Sequence, residues 1–281
     1  MKLFLFRLSL KRKHQADAFE RRNLDGREFN REEWLRDRFS KQFSFAHQGN
    51  QFFFVPEDAQ KVGLPSNLIV GWVARDKPLA ERTPPWEGLS PTRHASWQAS
   101  LLLLDPTEHS DGQKLAFEQR KNIGGANAVV SSLAAELSRF GPSEPFTVEV
   151  FPIIQERSFE RFVSEHKGRI TTITYDVAVP NMFNGPDDFS NELRDLRDNG
   201  NVSRIRTTIE SDGAINTDKT QLDEIATHVE KGGGKITAKT KDGVRYHSDD
   251  YARSENVDTS GSGETTPSFW QRVAAALDRV F

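Results

Sequence analysis

The fold is decided between Pro145 and Ser248, where three segments read RITTITYDVAV (169–179), VSRIRTTIE (202–210) and KITAKTKDGVRYH (235–247). Apolar residues alternate in them with polar or basic residues, which is the period of a strand that buries one face. Within the third segment, the dipeptide Asp-Gly is the strongest short hairpin signal in the chain. The three segments therefore predict strands of one sheet, the last of them folded back as a hairpin.

Helices are predicted between these strands by apolar residues at three- and four-residue spacing, which lie on one side of a helix. The predicted helices are 158–167, 187–198 and 218–230. Residues 146–154, rich in β-branched and aromatic side chains, predict a further strand before them. We expect all three helices to pack on one face of the sheet and to leave its other face open.

The open face would be polar and partly basic. On it we expect Thr172, Thr174, Arg204, Arg206, Lys235, Lys239 and Lys241. Cations on neighbouring strands repel each other unless an anion or carboxylates neutralise them, and a nucleic-acid backbone is such an anion. A solvated face with Glu210 and Asp242 as counterions explains the same pattern without a ligand. Tyr246 is the one aromatic candidate for this face, so binding there would involve the backbone rather than stacked bases.

The first half of the chain predicts its own strands and helices. The expected strands are 3–10, 51–55, 68–74 and 96–104, and the expected helices are 30–45 and most of 111–140. Residues 76–93, rich in proline and charge, are typical of a long loop. Gly141-Pro142 predicts a boundary between an N-terminal domain, 1–141, and a C-terminal domain, 142–248. The alternative is that the strands of both halves belong to one sheet. The expected fold class is α+β, with mixed sheets whose helices pack on one face.

Three consecutive cations, Lys11, Arg12 and Lys13, open a positively biased N-terminal segment. Residues 1–47 hold 12 Lys and Arg against 7 Asp and Glu, a balance of +5. The whole chain of 281 residues holds 38 Lys and Arg against 41 Asp and Glu, so its net charge of −3 does not predict nucleic-acid binding. We therefore expect only a local second nucleic-acid patch at Lys11, Arg12 and Lys13.

The character of the sequence changes after residue 248. Residues 249–267 are acidic and rich in Ser, Thr and Gly, which predicts a flexible linker. Residues 268–281 predict an amphipathic helix whose apolar stripe is Phe269, Trp270, Val273, Leu277, Val280 and Phe281. This stripe has to be buried, either on the chain's own body or a sister subunit, or on a partner protein or a membrane surface. The stripe is the candidate partner-binding surface, and its few cations weaken the membrane alternative.

Enzyme chemistry has little support in the sequence. The absence of cysteine excludes disulfides, thiol catalysis and cysteine-ligated metals. The seven histidines show no metal-ligand spacing, and neither glycine-rich segment has the pattern of a phosphate-binding loop. Pro186-Asp187-Asp188 is similar to the start of a metal-dependent nuclease signature, but the next strand lacks the Glu-x-Lys that completes one. No catalytic residue, metal ligand or cofactor is assigned.

Residues 147–154, 159–166 and 168–180 resemble the central segment of the RexA phage-exclusion proteins, and their layout is similar to that of the KwaB phage-defence proteins and related bacterial families. The resemblance covers about a third of the chain. It implies a cytoplasmic bacterial or phage protein, often dimeric, that binds DNA without sequence preference. It also implies a second, membrane-embedded protein that carries out the defence response. These families offer no catalytic residue to carry over.

Together with the open basic face, this resemblance implies a non-enzymatic sensor or adaptor of a bacterial anti-phage defence system. It would bind the DNA backbone without sequence preference and act, as a homodimer, with a partner protein. Two alternatives stay open: a metal-dependent nuclease with an unrecognised site, and a protein-interaction module that binds no nucleic acid. We predict that charge reversal at Arg204 and Arg206 abolishes DNA binding without unfolding the protein.

Overall fold

The structure, a computed structural model, describes residues 1–12, 30–109, 112–139, 145–178, 204–217, 220–259, 263 and 267–281. Its strands are β1 Lys2–Arg12, β2 Phe43–His47, β3 Asn50–Glu57, β4 Ile69–Asp76, β5 Leu79–Arg82, β6 Pro91–His94, β7 Trp97–Asp105, β8 Gln113–Glu118, β9 Phe146–Pro152, β10 Ile170–Ala178, β11 Arg204–Glu210, β12 Gly234–Thr240, β13 Arg245–His247 and β14 Ser254–Asn256. Its helices are α1 Arg31–Phe39, α2 Ala126–Leu137, α3 Ser158–Glu165, α4 Thr220–Glu230, α5 Pro267–Ala274 and α6 Leu277–Val280. The expected α+β class is confirmed.

Eight strands form the larger sheet, in the order β14-β1-β8-β7-β4-β3-β2, with β9 also paired to β1. One edge of β1 pairs with β8, while its other edge pairs first with β14 and then with β9. Every described pair of strands in the protein is antiparallel, where mixed sheets were expected. The long strand β1 is therefore the element that ties the beginning, middle and end of the chain together.

Both faces of the larger sheet are covered by helices. On one face, α1 and α2 pack over Phe54, Leu102 and Phe117. On the other face, α5 and α6 pack over Leu101 and Leu103. Strands β7 and β8 are thus buried on both faces, a position that removes the alternation of apolar and polar residues. This is why the sequence predicts helix across 111–140, although 113–118 form the strand β8.

Four strands form the smaller sheet, in the order β11-β10-β12-β13. Helices α3 and α4 pack on one of its faces, where Ile173, Val177 and Ile236 are buried among their apolar side chains. The period-two segments thus form strands of one sheet with helices on one face, as the sequence predicts. The helix predicted over 187–198 lies outside the described residues.

A strand that follows the predicted domain boundary at residue 141 belongs to the larger sheet. Strand β9, at 146–152, pairs with β1 from Phe6↔Pro152 to Arg12↔Phe146 and so completes the larger sheet. The chain passes to the smaller sheet only after Pro152. Which sheet a strand joins depends on a partner that can lie far away in sequence, and Gly141-Pro142 carries no information about that partner.

Two local predictions in the first half are also corrected. Residues 76–93 are not an irregular loop, because β5 and β6 pair as a hairpin with the register Leu79↔His94 to Arg82↔Pro91. Trp86, near the tip of this hairpin, is 83 % exposed. The helix predicted over 30–45 ends at Phe39. Phe43 does contact Phe39, with ring centroids 5.7 Å apart, but from strand β2.

The expected linker over 249–267 is structured in its first part. Residues Ser248–Tyr251 form a 3-10 turn, and β14 pairs with β1 through Lys2↔Asn256. Strand β14 consists of three polar residues, Ser254–Asn256, which carry no strand signal of their own. The local sequence therefore does not predict this pairing. Among the described helices, none combines the length and apolar character that crossing a membrane requires.

Candidate nucleic-acid interface

The open face of the smaller sheet is built by its strand register. The paired residues form three transverse rows, which are Arg206–Asp176–Lys235, then Thr208–Thr174–Thr237–His247, then Glu210–Thr172–Lys239–Arg245. Directly paired residues in a sheet point to the same side, and the apolar residues between them are buried under α3 and α4. The sequence-predicted cations of β11 and β12 are therefore brought onto one face.

The first row carries its own counterion. Both oxygens of Asp176 accept hydrogen bonds from the guanidinium of Arg204, the bond from Nη2 to Oδ2 measuring 2.8 Å. Nε of Arg206 lies 3.5 Å from Oδ2 of the same carboxylate. The hydrogen bond with Asp176 raises the pKa of Arg204 above its ordinary value, and burial opposes the rise. Two of the predicted phosphate-binding cations are thus already neutralised in part by one buried acid.

Lys235, at the other end of the first row, is paired as well. Its Nζ lies 2.6 Å from Oδ2 of Asp249, and that oxygen also accepts a hydrogen bond of 2.9 Å from the amide of Asn127 on α2. The contact with α2 places this end of the face against the larger unit. The expected counterions were Glu210 and Asp242, but Asp176 and Asp249 take that role for the first row.

Free positive charge is concentrated at the opposite end of the face. Lys239, Lys241 and Arg245 are exposed, and within the described residues none of the three forms an ion pair. Lys239 and Arg245 are direct partners in the register of β12 and β13. The carboxylate of Asp242, in the turn between these strands, is engaged by Nη1 of Arg169 at 3.1 Å. These three cations therefore lack the carboxylate partners that the first row has.

The middle row separates the two ends with small hydroxyl side chains. Thr174 and Thr208 are hydrogen bonded through their Oγ1 atoms at 3.0 Å, and Thr237 continues the row on β12. Threonine hydroxyls are among the groups that contact phosphate oxygens in protein–DNA complexes. The middle and third rows, called the outer part of the face, thus offer cations and hydroxyl groups, with His247 at the β13 end of the middle row.

Two residues of this face, Arg245 and His247, were not predicted. Side chains alternate between the two faces along a strand. Because Tyr246 lies on the helix side, its neighbours Arg245 and His247 have to lie on the open face, and this alternation could have predicted them. Tyr246 itself points to the helices and is only 2 % exposed, so it is not an aromatic residue of the open face. Burial raises the pKa of Tyr246 to about 12, while the hydrogen bond with Ser158 opposes the rise. The two hydroxyl oxygens are 2.8 Å apart.

Of the second predicted patch, Lys11, Arg12 and Lys13, the structure describes only the side chain of Lys11. Lys11 is buried, and its Nζ lies 2.7 Å from Oε2 of Glu149 on the neighbouring strand β9. A lysine held in this way cannot reach a phosphate without breaking the pair. The side chain of Arg12 and the whole of Lys13 lie outside the described residues.

The predicted partner-binding stripe of the C-terminal helix is turned toward the protein itself. Phe269, Trp270, Val273 and Val280 are buried, and Leu277 and Phe281 are half-buried in the same core. The ring centroids of Trp72 and Trp270 are 5.9 Å apart. Of the two alternatives, the structure has the helix docked on the chain's own body. In this arrangement the stripe is not available to a partner.

The nuclease alternative would need metal ligands. In the part of the chain that the structure describes, no group of three or more His, Cys, Asp or Glu side chains is arranged to hold a metal ion. Burial is the main cause that lowers the pKa of His47, whose Nδ1 lies 2.8 Å from the hydroxyl of Ser132. Pro186, Asp187 and Asp188, the residues of the nuclease alternative, lie outside the described residues.

Comparison of the chain with family models, with curated proteins and with solved structures found no match. The function has therefore to be inferred from the surfaces described above.

Proposed function

We propose that the protein binds the backbone of duplex DNA through the outer part of the open face, without reading its sequence. The main support is the register that places Lys239 beside Arg245, with Lys241 in the adjoining turn. Among the described residues, no carboxylate forms an ion pair with any of these three cations. Arg206, whose side chain is 73 % exposed, extends the positive surface along the edge strand. Positioned cations alone supply the salt-dependent part of DNA affinity, because they release the counterions of the phosphates.

Binding to the backbone rather than to bases follows from the side chains of this face. Base reading in the major groove needs an inserted helix or ribbon with amide or guanidinium groups at base edges, whereas this face is the flank of a sheet. Stacking on single strands relies on large aromatic side chains, and the described part of this face has no Phe, Tyr or Trp. Hydroxyl and cationic groups position a phosphate backbone without carrying sequence information.

The cellular role we propose is that of a non-enzymatic sensor or adaptor in bacterial defence against phage. What supports it is the resemblance of residues 147–180 to the phage-exclusion families. In this role the protein would act in the cytoplasm as a homodimer, which doubles the number of cations on one duplex. A second, membrane-embedded protein would carry out the response.

The proposal is tested by measuring binding to a labelled duplex from 50 to 200 mM salt, with and without Mg²⁺. Each lost phosphate contact lowers the slope of log affinity against log salt by about one. The double variant Lys239→Glu with Arg245→Glu should therefore bind at least about tenfold more weakly and show a slope smaller by about two.

The matched control is Lys61→Glu with Arg93→Glu, two exposed cations outside the face that change the net charge equally. The control should bind as the unchanged protein does. Equal loss in both variants would mean that net charge, not this face, governs binding. Absence of binding at 50 mM salt would favour the protein-interaction module, and cleavage only with Mg²⁺ would favour the nuclease.

A further inference from the structure

The smaller sheet ends in an edge strand whose backbone is open. Strand β11 is seven residues long, and no strand among the described residues pairs with its outer edge. The strand at the opposite end of the sheet, β13, has only three residues. Edge strands are commonly protected by shortness, by a bulge or by proline, whereas β11 pairs with β10 in one unbroken register and contains no proline. An open edge of this kind is a template for a further strand.

Alternate residues of β11 turn their backbone groups to this outer edge. At one end of the strand pair, the N–H of Ser211 donates to the carbonyl of Thr171, on the β10 side, at 3.0 Å. At the other end, Ala178, the register partner of Arg204, donates away from β11, to Gly233 at 2.9 Å. Because neighbouring residues of an antiparallel strand alternate between its two edges, the odd-numbered residues of β11 bond to β10. The outward backbone groups are those of Arg204, Arg206, Thr208 and Glu210.

A second copy of β11 matches this edge when it runs antiparallel and a twofold axis passes at Thr207. In that register Arg204 lies opposite Glu210 of the second copy, and Arg206 lies opposite Thr208 of the second copy. All four outward residues of each strand then fall in hydrogen-bonded pairs of the ladder. A register shifted by two residues either opposes Arg206 to Arg206 of the second copy or leaves Arg204 beyond the end of the other strand. The edge is therefore self-complementary in one register.

The side chains of the two strands also match in this register. Ile205 and Ile209 are only half-buried in the single chain, and each would lie opposite the other on the helix side of the joined sheet. On the open face, the exposed Glu210 forms no ion pair within the described residues. It would lie opposite Arg204, whose side chain is 46 % exposed beside Asp176. Opposite charges directly across a strand pair stabilise it, and Arg204 can keep Asp176 because a guanidinium has further N–H donors.

We propose that the protein forms a homodimer by antiparallel pairing of β11 with β11 of a second copy. Each four-stranded sheet would become half of one larger sheet, with the two open faces on the same side. The cations Lys239 and Arg245 of the two copies would then lie on both sides of the axis. This interface assigns a strand and a register to the dimer of the proposed function, but it stands independently of DNA binding. One strand pair buries little surface, so the dimer should dissociate on dilution.

The register is tested by cross-linking, because the chain contains no cysteine. Thr207→Cys puts one thiol of each copy at the axis, where the two Cα atoms of a non-hydrogen-bonded pair lie about 4.5 Å apart and a disulfide can close. Thr208→Cys, the matched control, lies opposite Arg206 of the second copy, and its Cα is more than about 7 Å from its counterpart. Under mild oxidation, only Thr207→Cys should give covalent dimers on a non-reducing gel. Equal cross-linking of both variants, or none of Thr207→Cys, would overturn the proposal.

The strength of the interface is tested by sedimentation equilibrium of the full chain over a range of concentrations. The unchanged protein should pass from monomer to dimer. Glu210→Arg sets an arginine opposite Arg204 twice in each dimer and should raise the dissociation constant at least about tenfold. Thr208→Pro removes an outward N–H that β10 does not use, and proline is tolerated at the solvent side of an edge strand. It should weaken the dimer likewise, while circular dichroism shows an unchanged fold.

The control is the open-face variant Lys239→Glu with Arg245→Glu, whose positions lie away from the β11 edge. It should dimerise as the unchanged protein does. A protein that stays monomeric at every concentration would overturn the proposal, and so would a dimer that neither Glu210→Arg nor Thr208→Pro weakens. Sedimentation is measured without DNA, so the dimer interface and the DNA-binding face can fail independently.

Discussion

Asp176 and Arg204 form a two-pronged ion pair on a sheet face whose other charged residues are mostly cations. The carboxylate is buried, and Arg206 approaches it from the next position of the same strand. Charge reversal at Arg204 and Arg206 would put three carboxylates together at this point. That substitution would strain the fold, so loss of DNA binding after it would not identify the interface. Lys239 and Arg245 are the better positions for reversal.

Asp176→Asn should strengthen DNA binding. The amide keeps the size and one acceptor of the carboxylate but removes the charge that neutralises Arg204 and Arg206. We expect affinity to rise several-fold at low salt, with a salt slope steeper by one or two contacts, and unfolding free energy to fall by about 1 kcal/mol. Anisotropy titration with a labelled duplex measures the first effect and urea unfolding the second. Unchanged affinity would show that DNA does not contact this end of the face.

Lys11→Met should lower the free energy of unfolding without weakening DNA binding. The substitution removes the partner of Glu149 in a largely buried pair, which we expect to lower the unfolding free energy by about 1–3 kcal/mol. Because the ammonium group is held by Glu149, its loss should change duplex affinity less than twofold. Lys239→Met is the matched control. It should weaken duplex binding and leave the free energy of unfolding nearly unchanged. Weaker DNA binding by Lys11→Met would restore the N-terminal patch as an interface.

Ser158→Ala should destabilise the smaller unit, because it leaves the buried hydroxyl of Tyr246 without its partner. The cost of such an unsatisfied group is about 1–3 kcal/mol, measured by urea unfolding. Tyr246→Phe removes the other half, and the double variant should cost less than the sum of the two. Additive effects would mean that the 2.8 Å contact contributes nothing to stability.

The ionisation of Tyr246 should lower the free energy of unfolding above pH 10. An unfolded tyrosine ionises near 10, whereas the pKa of the buried residue is about 12, so the native state holds its proton over a range where the unfolded state has lost it. The contribution of Tyr246 to stability is therefore fully present below pH 10 and is lost as the pH rises toward 12, by up to about 3 kcal/mol. Tyr246→Phe should flatten this part of the curve. A curve identical to that of the unchanged protein would contradict the burial of this hydroxyl.

Phe269→Ala should lower the unfolding free energy by about 3–5 kcal/mol, the usual cost of removing a buried aromatic ring. The matched control is Trp86→Ala, which removes an exposed aromatic ring from the tip of the β5–β6 hairpin and should change stability by less than about 0.5 kcal/mol. Thermal or urea unfolding of both variants measures the difference. If Phe269→Ala were as harmless as the control, the C-terminal helix would not be docked in solution and would be free to reach a partner.

The smaller sheet was readable from sequence because its strands obey one local rule. Residues 170–178, 204–210 and 234–240 bury one face and expose the other, so period two assigns each side chain to a face. The charge balance of that face was not readable, because Asp249 reaches Lys235 from outside the sheet. The sequence also did not show that β9 belongs to the larger sheet, because its partner β1 lies at the start of the chain. The three polar residues of β14 pair only because β1 offers a free edge there.

The threefold pairing of β1 has a consequence for how the chain reaches this state during synthesis. Lys11 and Glu149 are 138 positions apart, and the amine of Met1 meets the carbonyl of Val257 across 256 positions. During synthesis one edge of β1 can pair with β8 once residue 118 has emerged, but its other edge stays unpaired until β9 and then β14 are made. Contacts of such long range make folding slow and leave an unpaired strand edge exposed meanwhile. The nascent chain is therefore a natural client for chaperones that shield apolar strands.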